Sequence, residues 1–191
     1  PIVDLRSGRV VGVEALVRWQ HAVRGLLQPD DFILVAEETG TIESIGAHVL
    51  ERAVAEMSGV TSRLGLTGLR LGVNLSARQL GGPGLDQRVD DVCRRHGWAH
   101  GDLLLEITES VLTEELAPPL DVLGRIRELG VDLAIDDFGT GHSSLTRLGL
   151  MPVNQVKIDR SFVAAIGDQD DERLVRIVDA VVAVASALDL R

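Results

Sequence analysis

Short apolar runs alternate with helical stretches along most of this chain, and nearly every apolar run ends in a charged residue or an amide. The runs are "LRLGVNLS" at 69–76, "DLLLEIT" at 102–108, "VDLAIDD" at 131–137 and "NQVKID" at 154–159. Between them, apolar spacing predicts helices over 41–58, 85–96, most of "EELAPPLDVLGRIRELG" (114–130, ending at Gly130), "SSLTRLGLM" (143–151, stopped by Pro152) and 171–188. Successive strands joined through helices must lie parallel, because a helical crossover returns the chain to its starting edge. The first two runs differ. "PIVDL" and "VVGVEALVRW" are linked only by "RSGR", too short for a crossover, so they predict an antiparallel hairpin. The pattern predicts a (β/α)₈ barrel whose first strand is antiparallel; an open doubly wound sheet is the rival. Such barrels take about 250 residues, so 191 supply about three-quarters of one. Pro1 starts inside a strand pattern and "ALDLR" stops where another strand is due. The expectation is therefore one domain over residues 1–191, incomplete at its C-terminal end.

Charge narrows the function. The net charge is −10, which disfavours duplex nucleic acid as a partner, since that surface needs clustered Lys and Arg to displace counterions. A small phosphate ligand remains compatible if a cation lies between it and the protein. The single cysteine, Cys93, excludes an internal disulfide and a cysteine-based zinc site. No leader is expected from the opening residues, and "AVVAVASAL" at 180–188 is too short to cross a bilayer. A cytoplasmic setting is the expectation, with a parent protein that is open to membrane anchoring.

The chemistry lies at the strand ends. Glu14 follows "VVGV", Asn74 follows "LRLGV", Glu106 follows "LLL", Asp136 and Asp137 follow "LAI", and Lys157 and Asp159 sit in "VKID". Any one of these alone is explained as a helix cap or a turn former. Together they are not, because the C-terminal ends of barrel strands meet at one face. Converging carboxylates repel unless a cation joins them. Hard oxygen donors without cysteine point to Mg²⁺ or Mn²⁺. Adjacent aspartates suit a two-ion site of the kind that hydrolyses phosphoesters, with Lys157 polarising water. Gly139 and Gly141 in "FGTGHSSL" read as a mobile loop next to the site, or as an ordinary strand-to-helix turn capped by Ser143. Four of the five histidines read as structural; His142, inside the loop, stays open.

These residues also carry a family resemblance. "VEALVRW", "VNLSARQL", "LLEITES", "LAIDDFGTGHSSL" and "QVKIDRSFV" resemble, in order and spacing, the signature blocks of the EAL domain. That family comprises bacterial phosphodiesterases that open cyclic di-GMP to linear pGpG on a TIM-like barrel with an antiparallel first strand. The resemblance implies that Glu14, Asn74, Glu106 and Asp136 ligate metal and that Asp137 serves a second ion. It implies that Lys157 assists the catalytic water, that Arg18 holds a substrate phosphate and that Leu16 lines the substrate pocket. It further implies that Glu109 anchors the glycine loop and that Asp159 supports the metals from behind. Homodimerisation through that loop is implied too, as is fusion to diguanylate cyclase or sensory domains. The apolar side of 171–188 (Val175, Val178, Val182) reads as core ahead of a partner face. Two departures stand out. His142 occupies a position commonly aromatic in the family, and the family's "EGVE"-like strand with a further glutamate ligand lies beyond Arg191. The other readings are a cyclic di-GMP receptor without turnover and an unrelated barrel enzyme using Lys157 as a Schiff base.

Overall fold

The computed structural model describes residues 1–112, 120–139, 145–164 and 172–191. Strands β1 (Ile2–Val3) and β2 (Val10–Ala15) form the expected antiparallel hairpin. A second small hairpin follows, β3 (Trp19–His21) with β4 (Gly25–Leu27). Next come α1 (Ile33–Thr39), α2 (Ile42–Leu64), β5 (Arg70–Leu75), α3 (Ala77–Leu80) and α4 (Leu85–His96). The chain continues through β6 (Leu103–Thr108), α5 (Leu120–Glu128), β7 (Asp132–Phe138) and α6 (Leu145–Leu148). It ends with β8 (Gln155–Ile158), α7 (Arg160–Ala164) and α8 (Glu172–Ala187).

Among the described residues the main sheet has six strands in the order β1-β2-β5-β6-β7-β8, and every pair from β2 onward is parallel. The order never reverses. A doubly wound sheet reverses at a switch point, whereas unidirectional addition curls the sheet toward a TIM-like barrel. At the outer edge of β8, the Val156 N–H donates to the Arg191 carbonyl at 2.8 Å and the Arg191 N–H to the Asn154 carbonyl at 3.1 Å, the pairing of a parallel neighbour.

Alternation along each strand sorts the faces. Leu71, Val73, Leu75, Leu103, Leu105, Ile107, Leu133 and Ile135 point outward and form one core with Leu50 and Val54 of α2, Val89, Val92 and Cys93 of α4, and Leu123 and Ile126 of α5. Burying so much branched aliphatic surface, at about 1.5–3 kcal/mol per side chain, fixes the strand phase. Gly72, Asn74, Glu106, Ala134 and Asp136, in the opposite phase, face the inside of the curl. Helix α2 buries Ile42, Gly46, Leu50 and Val54 at four-residue spacing. Gly46 is required there, because a Cβ would lie 1.9 Å from the Gln79 amide nitrogen.

Three features depart from the expectations. The run "VVGVEALVRW" is not one strand: β2 stops at Ala15, and Trp19 opens the second hairpin, whose turn is held by Val23 and Arg24 N–H groups donating to His21 Nδ1 at 3.1 Å each. Trp19 packs edge-on against Phe32, with ring centroids 5.8 Å apart. Helix α1 was not anticipated. Helix α2 runs six residues past 58, to the left-handed cap at Gly65. The expected helical residues 114–119, as well as Gly141, His142 and Ser143, lie outside the described residues.

Candidate metal centre

The strand register assembles the site. Glu14 is paired with Gly72, Asn74 with Glu106, and Thr108 with Asp136. The inward phase therefore brings residues far apart in sequence onto neighbouring strands. Asn74 Nδ2 donates to Glu14 Oε1 at 2.8 Å. Just beyond Asn74, Ser76 caps α3 and donates its hydroxyl to Glu37 of α1 at 2.6 Å, which fixes the end of β5.

Glu14, Glu106 and Asp136 each offer an oxygen, and these oxygens lie within 4.8 Å of one another. Lys157 faces all three. Its ammonium is 2.5 Å from Glu106 Oε2, 3.1 Å from Asp136 Oδ2 and 3.6 Å from Glu14 Oε2. One cation thus meets three carboxyl groups, an excess of two negative charges when all three are ionised. Each unit-charge repulsion at 4 Å is worth about 4 kcal/mol at an effective dielectric of 20.

Glu106 is the deepest member, 1% exposed. Burial pushes its carboxyl up to about 7, against the pull of Lys157, with Glu14 and Asp136 adding to the rise. Burial alone would pull the Lys157 ammonium down, but the Glu106 hydrogen bond and the charges of Glu106, Asp136 and Glu14 outweigh it and raise its pKa. Glu106 Oε1 is buried without a hydrogen-bond partner. Gly72 makes room for it, since a Cβ there would stand 2.5 Å from Oε1. An orphaned buried carboxylate oxygen costs several kcal/mol unless a cation meets it.

The Asp136–Asp137 pair lies in a bulge. Ile135 pairs with Val156 and Phe138 with Ile158, so two residues of β7 oppose Lys157 alone. Asp137 takes a left-handed φ of 56°, uncommon for non-glycine residues although aspartate is among those that adopt it more readily. Such a bulge re-aims side chains that a regular strand would send to opposite faces. Burial, then Asp136 and Asp159, raises the Asp137 carboxyl, which is hydrogen-bonded to Asp159. Asp159 is held low by bonds from the Ser161 hydroxyl and N–H. Glu109, 5% exposed, accepts the Gly139 N–H at 2.8 Å, so the loop behind the bulge is tied to the end of β6.

Leu16 and Arg18 follow β2 at this same end. Leu16 is 57% exposed. Arg18 is exposed, and its guanidinium donates to the Val17 carbonyl at 2.7 Å. Gly72 and Phe162 were missed in the sequence reading; a glycine inside a strand pattern was the available signal for the first. On α8, Val181 is buried and Val184 packs on the core, Val178 is half-buried, and Val175 and Val182 are exposed, so this helix is only partly core.

The family model for the EAL domain matches residues 1–191. The chain belongs to the EAL domain family. A relative from Caulobacter vibrioides, described as an uncharacterized signaling protein, is 44% identical over 190 residues, covering 100% of this chain and 23% of that protein. The cyclic di-GMP phosphodiesterase NbdA of Pseudomonas aeruginosa is 41% identical over 191 residues, covering 100% of this chain and 24% of NbdA. MucR of the same organism, a bifunctional diguanylate cyclase/cyclic di-GMP phosphodiesterase, is 39% identical over 195 residues, covering 100% of this chain and 27% of MucR. The solved MucR phosphodiesterase in complex with c-di-GMP superimposes with a TM-score of 0.87 at 38% identity, covering 98% of this chain and 75% of that one. This EAL domain thus spans about a quarter of the length of these curated relatives. Among its described residues, no helix is long and apolar enough to cross a membrane.

Proposed function

We propose that this chain, as one domain over residues 1–191, hydrolyses cyclic di-GMP to linear pGpG with Mg²⁺ or Mn²⁺, two ions being held. The observation that carries the reading is the convergence of Glu14, Glu106 and Asp136 oxygens within 4.8 Å, with Glu106 Oε1 buried and unpartnered. The donor set fits a hard divalent cation, because every ligand is oxygen. Glu14, Asn74, Glu106 and Asp136 would hold the first ion, and Asp137, backed by Asp159, the second.

When bound, the ions lower the pKa of water and neutralise charge on the phosphoryl oxygens. The residues then have distinct tasks. Lys157, 3.1 Å from Asp136 Oδ2, is placed to direct an N–H at the attacking water. Arg18, whose guanidinium has no ion-pair partner among the described residues, presents a planar fork to a substrate phosphate. Leu16 offers an exposed apolar contact next to it. In the reaction the water oxygen bonds to phosphorus, the bond to one ribose O3′ breaks, and the water's proton ends on that O3′. Glu109, accepting the Gly139 N–H, steadies the backbone at the end of β7.

The parent protein is proposed to be cytoplasmic at this domain and to carry diguanylate cyclase or sensory modules. The test incubates the full-length protein with cyclic di-GMP and either metal and follows pGpG by chromatography, beside an Asp136→Asn variant. Turnover that the variant abolishes supports the reading. Binding of cyclic di-GMP without turnover would instead make the chain a receptor.

A further inference from the structure

The ring of Phe162 lies against the α-carbon of Gly139. A Cβ built on Gly139 would stand 2.9 Å from Phe162 Cε2 and 3.3 Å from Cζ. Gly139 also has a φ of 105°, so its place depends on both a left-handed backbone and the closeness of that ring. On its other side its N–H is fixed by Glu109 at 2.8 Å. Phe162 is delivered there by α7, whose first turn is capped by Asp159 through the Ser161 N–H at 2.9 Å. Asp159 in turn bonds Asp137. The ends of β6, β7 and β8 are therefore knitted around the bulge by one hydrogen bond from each side and one aromatic contact.

We propose that Phe162 is a positioning residue of the metal centre: its ring holds Gly139, and through it the Asp136–Asp137 bulge, in the geometry that binds the ions. The inference rests on the reading of the carboxylate cluster as a metal site. Strain at Asp137, with φ of 56°, has to be held by its surroundings. The ring and Glu109 are the neighbours immediately downstream that do so. Removing the ring opens space beside Gly139 and lets the bulge relax toward a regular strand, in which consecutive side chains diverge.

The experiment measures Mn²⁺ binding by electron paramagnetic resonance, with Mn²⁺ alone, and cyclic di-GMP turnover, both in the full-length protein. The variants are Phe162→Ala, Phe162→Leu and, as a control on the same short helix, Val163→Ala, whose side chain is 50% exposed. Outer contacts of metal ligands typically change affinity or activity by about 10–100-fold. Phe162→Ala is expected to weaken Mn²⁺ by about tenfold or more and to lower kcat, while KM for cyclic di-GMP moves by no more than about twofold. Phe162→Leu is expected to recover most of the affinity, and Val163→Ala to match the wild type. If Phe162→Ala does not fold, Phe162→Val decides: a greater loss of Mn²⁺ affinity than in Phe162→Leu supports the inference, and wild-type affinity overturns it. Wild-type affinity in Phe162→Ala, or an equal loss in Val163→Ala, overturns the inference. A wild type that binds Mn²⁺ but turns over no cyclic di-GMP overturns the enzymatic reading and leaves the Mn²⁺ comparison decisive for Phe162. A wild type that binds no Mn²⁺ overturns both.

Discussion

Lys157 Nζ stands 3.1 Å from Asp136 Oδ2, the lysine on β8 facing the bulge on β7. The same ammonium also meets Glu106 and Glu14, so it partly neutralises a carboxylate set that a divalent ion would neutralise better. On the proposed reading, lysine and metal would compete for charge while cooperating in chemistry. Replacing Lys157 with methionine should lower turnover by about 100-fold or more without weakening Mn²⁺ binding. Parallel measurements of kcat and of the Mn²⁺ dissociation constant test this. A large loss of metal affinity in that variant would show that the lysine organises the ligands rather than the water.

Gly72 tests the steric side of the site. A methyl group there would sit 2.5 Å from Glu106 Oε1 and 3.6 Å from Glu14 Cγ. Overpacking a buried position costs about 1–3 kcal/mol. Glu106 can escape only by leaving the position in which it faces Lys157. Gly72→Ala is expected to lower the thermal midpoint and raise the metal concentration for half-maximal activity. An unchanged metal requirement would mean that Glu106 does not ligate from its observed place.

The opposite end of the sheet carries stability instead. Asp132 at the start of β7 accepts from Arg191 at 2.6 Å and Arg127 at 3.1 Å, lies 3.5 Å from Arg70, and accepts from the Asn154 amide at 2.5 Å. Burial works against its ionisation, yet Asn154 and Arg191 outweigh it and hold the carboxyl below the ordinary range. Arg191 is half-exposed, which moderates its share. Asp132→Ala should cost about 2 kcal/mol in urea unfolding and leave Mn²⁺ affinity intact. A selective loss of metal binding would contradict this division between the two ends.

Glu106 sets a pH dependence. Its folded pKa of about 7 lies above the unfolded value near 4.5, so the folded state prefers the proton. The stability it contributes is complete below about pH 4.5 and is lost as pH rises through 7. The metal-free protein should therefore lose stability between pH 5 and 8 relative to a Glu106→Gln variant, and saturating Mg²⁺ should remove the difference at pH 8 by replacing the proton. Thermal midpoints across that pH range, with and without Mg²⁺, decide it. Parallel pH curves for the two proteins would count against a buried, proton-binding Glu106.

Much of this could be read from residue order. The parallel strands β5 to β8 were legible because Val, Leu and Ile mark their outward phase and helical periodicity marks the crossovers. The polar strand ends followed from the same phase. The β3–β4 hairpin was not legible, because "LVRW" prolongs the apolar run of β2 and nothing local shows the break before Trp19. Helix α1 is short and mostly exposed, so its periodicity is weak. "IDD" shows two adjacent aspartates but not the bulge, which exists only in the pairing of β7 with β8. Gly72 and Phe162 act on Glu106 and Gly139 across strands, and Asp132 gathers arginines from 70 to 191. Such contacts depend on register, which no short window contains.

Metal-dependent hydrolysis is tested most directly by cyclic di-GMP turnover in the full-length protein as free Mg²⁺ or Mn²⁺ is raised from a chelated baseline. No pGpG is expected in excess chelator, and a saturable rise is expected with either ion. Hydrolysis that persists in chelator, or none at any metal concentration, would contradict the proposed function.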